Sequence, residues 1–221
     1  MGVSSTMDAG RVRRLRMLGA EATTVMRLLL ALPLRPLLGH SVVPRRCAQP
    51  PLVLVHGLLG DPTNFLALRR CLSRRGIQRF ASFSYLPRVD YPRLAPRLLE
   101  ELRAVCSVSG SAQVDVVGHS FGGLLARYLV QMEAEPLVRR LVTLAAPYTP
   151  HRNPPQELAI FAGDDFIVPA PPRGDAAHRR MLVVPDCGHV GLLRHPLALR
   201  AVGDFLTRNT LAEPRSLELA A

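Results

Sequence analysis

One serine in this chain stands where its neighbours could make it reactive. Ser120 lies in Val114-Asp-Val-Val-Gly118-His119-Ser120-Phe121-Gly122-Gly123-Leu-Leu-Ala126, inside a Gly-x-Ser-x-Gly pentapeptide. The apolar run before it reads as a strand and the residues after it as a helix, so the serine falls on a sharp strand-to-helix turn. A turn of that kind strains the backbone at the serine, and glycines two before and two after keep it clear of its neighbours. It lifts the hydroxyl above the carboxyl edge of the sheet. It also sets the Phe121 amide at a helix N-terminus, where negative charge is stabilised. The chemistry implied is nucleophilic attack by an alcohol on an acyl carbon.

An alcohol near neutral pH is a poor nucleophile, so Ser120 needs a base and that base needs an orienting acid. Both follow in chain order. Leu158-Ala-Ile-Phe-Ala-Gly163-Asp164-Asp165-Phe166 is a strand that delivers two carboxylates to the same sheet edge. We assign Asp165 the orienting role and Asp164 that of capping or bracing the loop. Leu182-Val-Val-Pro-Asp-Cys187-Gly188-His189-Val190 presents His189 after the next strand, with a glycine that allows close approach. Other candidates fit less well. His119 points away from the serine by alternation and reads as packed, His178 and His195 lack a strand end beside them, and His151 lies in a proline-rich loop. Asp115 sits within the nucleophile strand and reads as a polar group on a helix-covered sheet face.

The tetrahedral oxyanion of acyl transfer needs two preorganised backbone donors. Val53-Leu-Val-His56-Gly57-Leu58-Leu59-Gly60 ends a strand in His-Gly before a glycine-containing loop, about sixty residues upstream of the serine. The expected donors are the amides of Leu58 and Phe121.

Positioning these loops on one rim requires a parallel sheet. Short apolar runs alternate with amphipathic segments from residue 51 onward. Strands are expected at Leu52–Val55, Phe80–Tyr85, Gln113–Val117, Val138–Leu144, Leu158–Ala162 and Met181–Val184. Helices are expected at Asn64–Arg75, Leu94–Val105, Gly122–Met132 and His195–Leu206. Near-continuous apolar strands joined by helices imply an α/β, three-layer sandwich, a mostly parallel sheet with helices on both faces. The expected organisation is an N-terminal basic segment over residues 1–50, a catalytic domain over 51–210 and a frayed tail over 211–221.

Composition narrows the field. With 48% hydrophobic residues in 221, the chain has enough apolar material for a core, which excludes disorder throughout. Its four cysteines are scattered, with no Cys-x-x-Cys pair, which excludes a disulfide scaffold and a standard zinc module. The net charge of +11 comes from arginine alone, since lysine is absent. The arginines are dispersed, without interleaved aromatics, so we expect no nucleic acid partner.

In the first fifty residues Arg27, Arg35 and Pro33 interrupt the apolar stretch, leaving no clear cleavable signal and no bilayer span. Leu15, Leu18, Ala22, Val25, Leu29 and Leu32 fall on one helical face. That face is expected to cover one side of the main domain. The alternatives are a basic helix making peripheral membrane contact and an atypical export signal, so the compartment stays open.

Together the three loops resemble the α/β-hydrolase superfamily, and specifically its compact bacterial lipases. Val-His-Gly-Leu-Leu-Gly is similar to its oxyanion loop, Gly-His-Ser-Phe-Gly-Gly to its elbow, Asp165-Phe-Ile-Val to its acid loop and Gly188-His189-Val-Gly-Leu-Leu to its histidine loop. The resemblance spans Pro51 to about Arg208. It implies hydrolysis of carboxylic esters, acylglycerols included, without metal or organic cofactor. The segment Ala145–Gln156 is too short and proline-rich for the helical lid of larger lipases. A minimal fold with a shallow open cleft is therefore expected, lined by Leu58, Phe121, Tyr148, Phe166 and Val190 and accepting small-molecule esters or lipids. The same machinery serves thioester cleavage and acyl transfer, and a non-catalytic membrane-surface protein on this fold is the reading from another class.

Overall fold

The computed structural model describes residues 18–19, 21–23, 26, 30, 49–85, 90–132, 137–148, 156–171 and 180–207. Among the described residues six strands form one sheet: β1 (Leu52–Val55), β2 (Phe80–Phe83), β3 (Val114–His119), β4 (Val138–Leu144), β5 (Gln156–Ala162) and β6 (Arg180–Val184). Their order is β2-β1-β3-β4-β5-β6, and all neighbouring pairs run parallel. Among the described residues they are accompanied by the helices α1 (Leu66–Ser73), α2 (Tyr91–Ser109), α3 (Phe121–Met132) and α4 (Pro196–Thr207), and residues 18–19, 21–23, 26 and 30 are also helical.

Strand alternation divides the core in two. Leu52 and Leu54 of β1, Val142 and Leu144 of β4 and Ile160 of β5 face Leu68 and Leu72 of α1 and Val202 and Phe205 of α4. Val53 and Val55 of β1 and Val114 and Val116 of β3 face Leu98 and Leu102 of α2 and Leu125 and Leu129 of α3. Because successive side chains point to opposite faces, each strand supplies both layers, which is why β1 is apolar throughout and β3 and β4 are buried at nearly every position.

Capping explains where the observed boundaries differ from the expected ones. Helix α2 starts three residues before Leu94, because the Asp90 side chain accepts from the Arg93 amide at 3.3 Å and a proline occupies its first turn. It runs on to Ser109 and stops at Gly110, whose φ of 66° no β-carbon has to tolerate. The expected helix over Asn64–Arg75 divides into a 3-10 turn, Pro62–Phe65, capped by Asp61, and helix α1. Strand β3 extends two residues further than expected, to His119, and so delivers the next residue directly into the turn.

A partly buried ion pair ties β3 to β4. Asp115 accepts from the Arg139 guanidinium at 2.9 and 2.6 Å, in agreement with a structural role for this carboxylate. Across the helix–sheet interface Arg127 of α3 is fully buried. It donates to Glu157 of β5, to Thr143 of β4 at 2.8 Å and to the Pro147 carbonyl.

Of the N-terminal face read from the sequence, only Leu18 and Ala22 lie among the described residues, and both are exposed. The contact that these described residues make with the domain is polar, through Glu21, so the expected apolar cover is not what Leu18 and Ala22 provide. The other four positions of that face, the tail 211–221 and residues 149–155, where no helical lid is expected, lie outside the described residues. Among the described residues, no helix is long and apolar enough to cross a membrane.

Candidate active site

The turn after β3 has the strain its sequence foretold. Ser120 adopts φ 52°, left-handed space that a β-carbon makes costly. Its amide donates to the Leu144 carbonyl at 2.8 Å, and its own carbonyl accepts from Gly123 at 3.0 Å and Leu124 at 3.1 Å. The serine is thereby held at the end of β3 and the start of α3. The flanking glycines answer to close approach. A β-carbon on Gly122 would lie 2.2 Å from the Val55 carbonyl oxygen, and one on Gly118 would lie 2.6 Å from the Gly123 backbone.

Asp165 and His189, on the loops after β5 and β6, meet as expected. His189 Nδ1 lies 2.7 Å from Asp165 Oδ2. The other oxygen, Oδ1, accepts from the amides of Ile167 at 2.8 Å and Val168 at 2.9 Å. Burial alone would push the Asp165 carboxyl up. The bonds from His189, Val168 and Ile167 outweigh that and hold it below the usual carboxylate value. An ionised acid with both oxygens engaged fixes a proton on Nδ1, leaving Nε2 as the basic nitrogen. Asp164 braces the same region through its backbone, its amide donating to the Cys187 carbonyl at 3.0 Å.

The His189 loop packs against His119, the residue that precedes Ser120. The rings of His119 and His189 stand 5.0 Å apart, and His119 Nε2 lies 3.2 Å from the His189 carbonyl. His119 is buried, and burial, with His189 nearby, lowers its pKa to about 4. It is therefore neutral near pH 7 and donates from Nε2. The sequence reading of His119 as packed holds, with an added grip on the histidine loop.

The expected oxyanion loop lies on the other side of Ser120. A β-carbon on Gly57 would sit 3.1 Å from Ser120 Cβ and 3.0 Å from His119 Nδ1, so the backbone leading into Leu58 runs beside the serine. Phe121 opens α3, where the first amides have no carbonyl partner within the helix. Sequence reasoning missed the buttress behind both. The Tyr85 hydroxyl donates to the His56 carbonyl at 2.6 Å, its ring stacks on His56 at 4.5 Å, and it lies 5.7 Å from the Phe121 ring. The register Val55↔Phe83 carries Tyr85 alongside Gly57, but only the strand order reveals that neighbour.

Of the residues expected to line a cleft, Leu58 is 42% and Phe166 73% exposed, beside exposed Leu59 and Ile167. Tyr148 and Val190 are half-buried, Tyr148 with its ring 5.6 Å from the Arg127 guanidinium. The Phe121 side chain departs from the expectation. It is 8% exposed and belongs to the core between the sheet and helices α2 and α3, because the turn that frees its amide aims its ring inward. Cys187 is buried with its thiol pushed up to about 12, chiefly by burial and then by Glu21, Asp164 and Asp165, so it offers no rival thiolate. Among the described residues no cluster of three or more His, Cys, Asp or Glu could hold a metal ion.

Comparison with known proteins agrees with this architecture. Two curated triacylglycerol lipases, from Pseudarthrobacter phenanthrenivorans and Burkholderia plantarii, are each 31% identical to this chain over 122 residues. That region is 52% of this chain and 36% and 32% of theirs, so the match spans about a third of each relative. The solved structure of Est1E from Butyrivibrio proteoclasticus superposes with a TM-score of 0.55 at 16% identity, over 73% of this chain and 88% of that one. The family model described as the alpha/beta hydrolase family matches residues 52–176, more than half of the 221. With its parallel sheet and its serine turn, this chain belongs to the alpha/beta hydrolase family.

Proposed function

We propose that the chain is a serine hydrolase of carboxylic esters, acting on acyl esters or acylglycerols through an acyl-enzyme on Ser120. The observation that carries this reading is the Asp165–His189 pair at 2.7 Å, on a loop packed against the residue next to a serine at φ 52°. The lipase names of the two curated relatives favour esters as the bond class.

In this mechanism His189 Nε2 takes the Ser120 proton as Oγ bonds to the carbonyl carbon and the carbonyl π electrons move onto oxygen. The amides of Leu58 and Phe121 hold that oxyanion. Collapse breaks the carbon–oxygen bond to the alcohol, which leaves with the proton from Nε2. Water then gives its proton to Nε2 and attacks the acyl carbon, and Ser120 departs carrying the proton back. Asp165 keeps the imidazole in the needed tautomer and stabilises imidazolium throughout. Leu58, Tyr148, Phe166 and Val190 are the acyl-contacting side chains. Exposed Leu58 and Phe166 favour short- or medium-chain esters reached from solvent.

The test is a chain-length series of chromogenic esters with the native protein and Ser120→Ala. The expected result is hydrolysis by the native chain, best with short or medium acyl groups, and loss of nearly all of it in the variant. Equal rates in both would overturn the mechanism.

A further inference from the structure

The histidine loop is held from a direction that the mechanism does not use. Glu21, in the helical part of the N-terminal segment, places Oε2 2.9 Å from the Val190 amide and Oε1 2.7 Å from the Gly191 amide. Those are the two residues after His189. The carboxylate also fills the space left by two missing side chains. A β-carbon on Gly188 would lie 2.6 Å from Glu21 Cδ, and one on Gly191 would lie 2.7 Å from Glu21 Oε1. Neither glycine adopts positive φ, so backbone strain does not account for them. Gly188 and Gly191 bracket His189 in sequence, and the acid occupies the notch they leave.

We propose that Glu21 is a positioning residue for His189, which completes the active site by clamping the catalytic loop. This rests on the ester-hydrolase reading above. Three restraints then define the imidazole: Asp165 on Nδ1, the His119 ring on the His189 carbonyl, and Glu21 on the two following amides. Hydrogen bonds to an ionised acceptor are the stronger kind, and two in parallel fix orientation as well as distance. Without Glu21 the loop keeps its sequence but loses the restraint that sets where Nε2 points. Displacement of a catalytic group by about an ångström costs roughly a hundredfold in rate, and a partial loosening costs less.

The test compares the native protein with Glu21→Ala, Glu21→Gln and Gly188→Ala on one soluble chromogenic ester. Glu21→Ala is expected to lower kcat by about tenfold or more while KM stays within about twofold, since the group acts on the base and not on the substrate. Glu21→Gln keeps one carbonyl acceptor and should recover part of the loss. Gly188→Ala should impair the native chain by evicting the carboxylate, yet add little in a Glu21→Ala background, where the notch is already empty. An activity-independent reading is the downfield proton NMR signal of His189 Nδ1–H, expected to broaden or move in Glu21→Ala. Unchanged kcat, a loss confined to KM, or an unmoved proton signal would overturn the proposal. If the native chain cleaves no ester, the functional reading fails, and the proton signal still decides the clamp. Should Glu21→Ala not fold, Glu21→Gln and Gly188→Ala carry the same comparison.

Discussion

His119 makes the acid stability of this protein a measurable consequence of its active-site packing. Its imidazole is fully enclosed beside Ser120, and burial takes its pKa from 6.5 to about 4, with His189 and His56 adding to the fall. The bond to the His189 carbonyl and the charge of Asp165 oppose that fall without cancelling it. As pH drops, the unfolded chain takes up this proton before the folded one does. The stability the neutral ring contributes is therefore complete above about pH 6.5 and is lost progressively down to about pH 4. One proton of difference corresponds to a little over ~1 kcal/mol per pH unit, so the loss across this window approaches ~3 kcal/mol. That is a large part of the ~5–15 kcal/mol that typically holds a domain together.

Urea denaturation at fixed ionic strength and several pH values between 7 and 4, on the native chain and on His119→Gln, isolates this group. Glutamine has an amide N–H able to reach the His189 carbonyl but no proton to gain. At pH 7 the variant should be less stable by a constant offset. Between pH 6.5 and 4 the native curve should fall toward it by about 3 kcal/mol, while carboxylates common to both cancel in the difference. Parallel stability curves across the whole range would refute the reasoning.

Two further substitutions address the site and its support. Asp165→Asn should reduce kcat by about 10³–10⁴ in steady-state ester hydrolysis. The carbonyl oxygen can still serve the Ile167 and Val168 amides, but the amide nitrogen forces the proton of His189 onto Nε2. Arg127→Ala leaves Glu157 charged and buried beside Thr143, so chemical denaturation should show a loss of about 3–5 kcal/mol. The native stability recurring in that variant would show that the pair is dispensable.

The central elements were legible because their causes are local. Leu52–Val55 and Val138–Leu144 match the expected strands residue for residue, since a short segment rich in Leu and Val needs no partner to be recognised. Ser120, Asp165 and His189 were legible for a related reason. In a parallel sheet every strand end points to the same rim, so residues just after strands converge even when the chain separates them widely. Helix α2 was placed short by three residues at its start, because the apolar spacing begins at Leu94 while the cap that starts the helix is Asp90.

What only the tertiary structure decided lies in contacts between distant segments. Glu21 and Val190 are 169 residues apart, and His119 reaches a carbonyl 70 residues away. Periodicity ranks the apolar Leu18 and Ala22 as the contacting face, yet both are exposed while the acid between them meets the domain. A hydrophobic pattern counts what avoids water and is blind to a carboxylate that fits two amides. Tyr85 is hidden in the same way, since its partner His56 directly follows β1, a strand whose neighbour is set by sheet order. The sequence by itself determined the parallel sheet and the placing of Ser120, Asp165 and His189 just after its strands, through local propensity and strand polarity. Which groups hold those side chains in place was decided by packing across the whole chain, because the complementarity of a hydrogen-bond donor and acceptor exists only once both are docked.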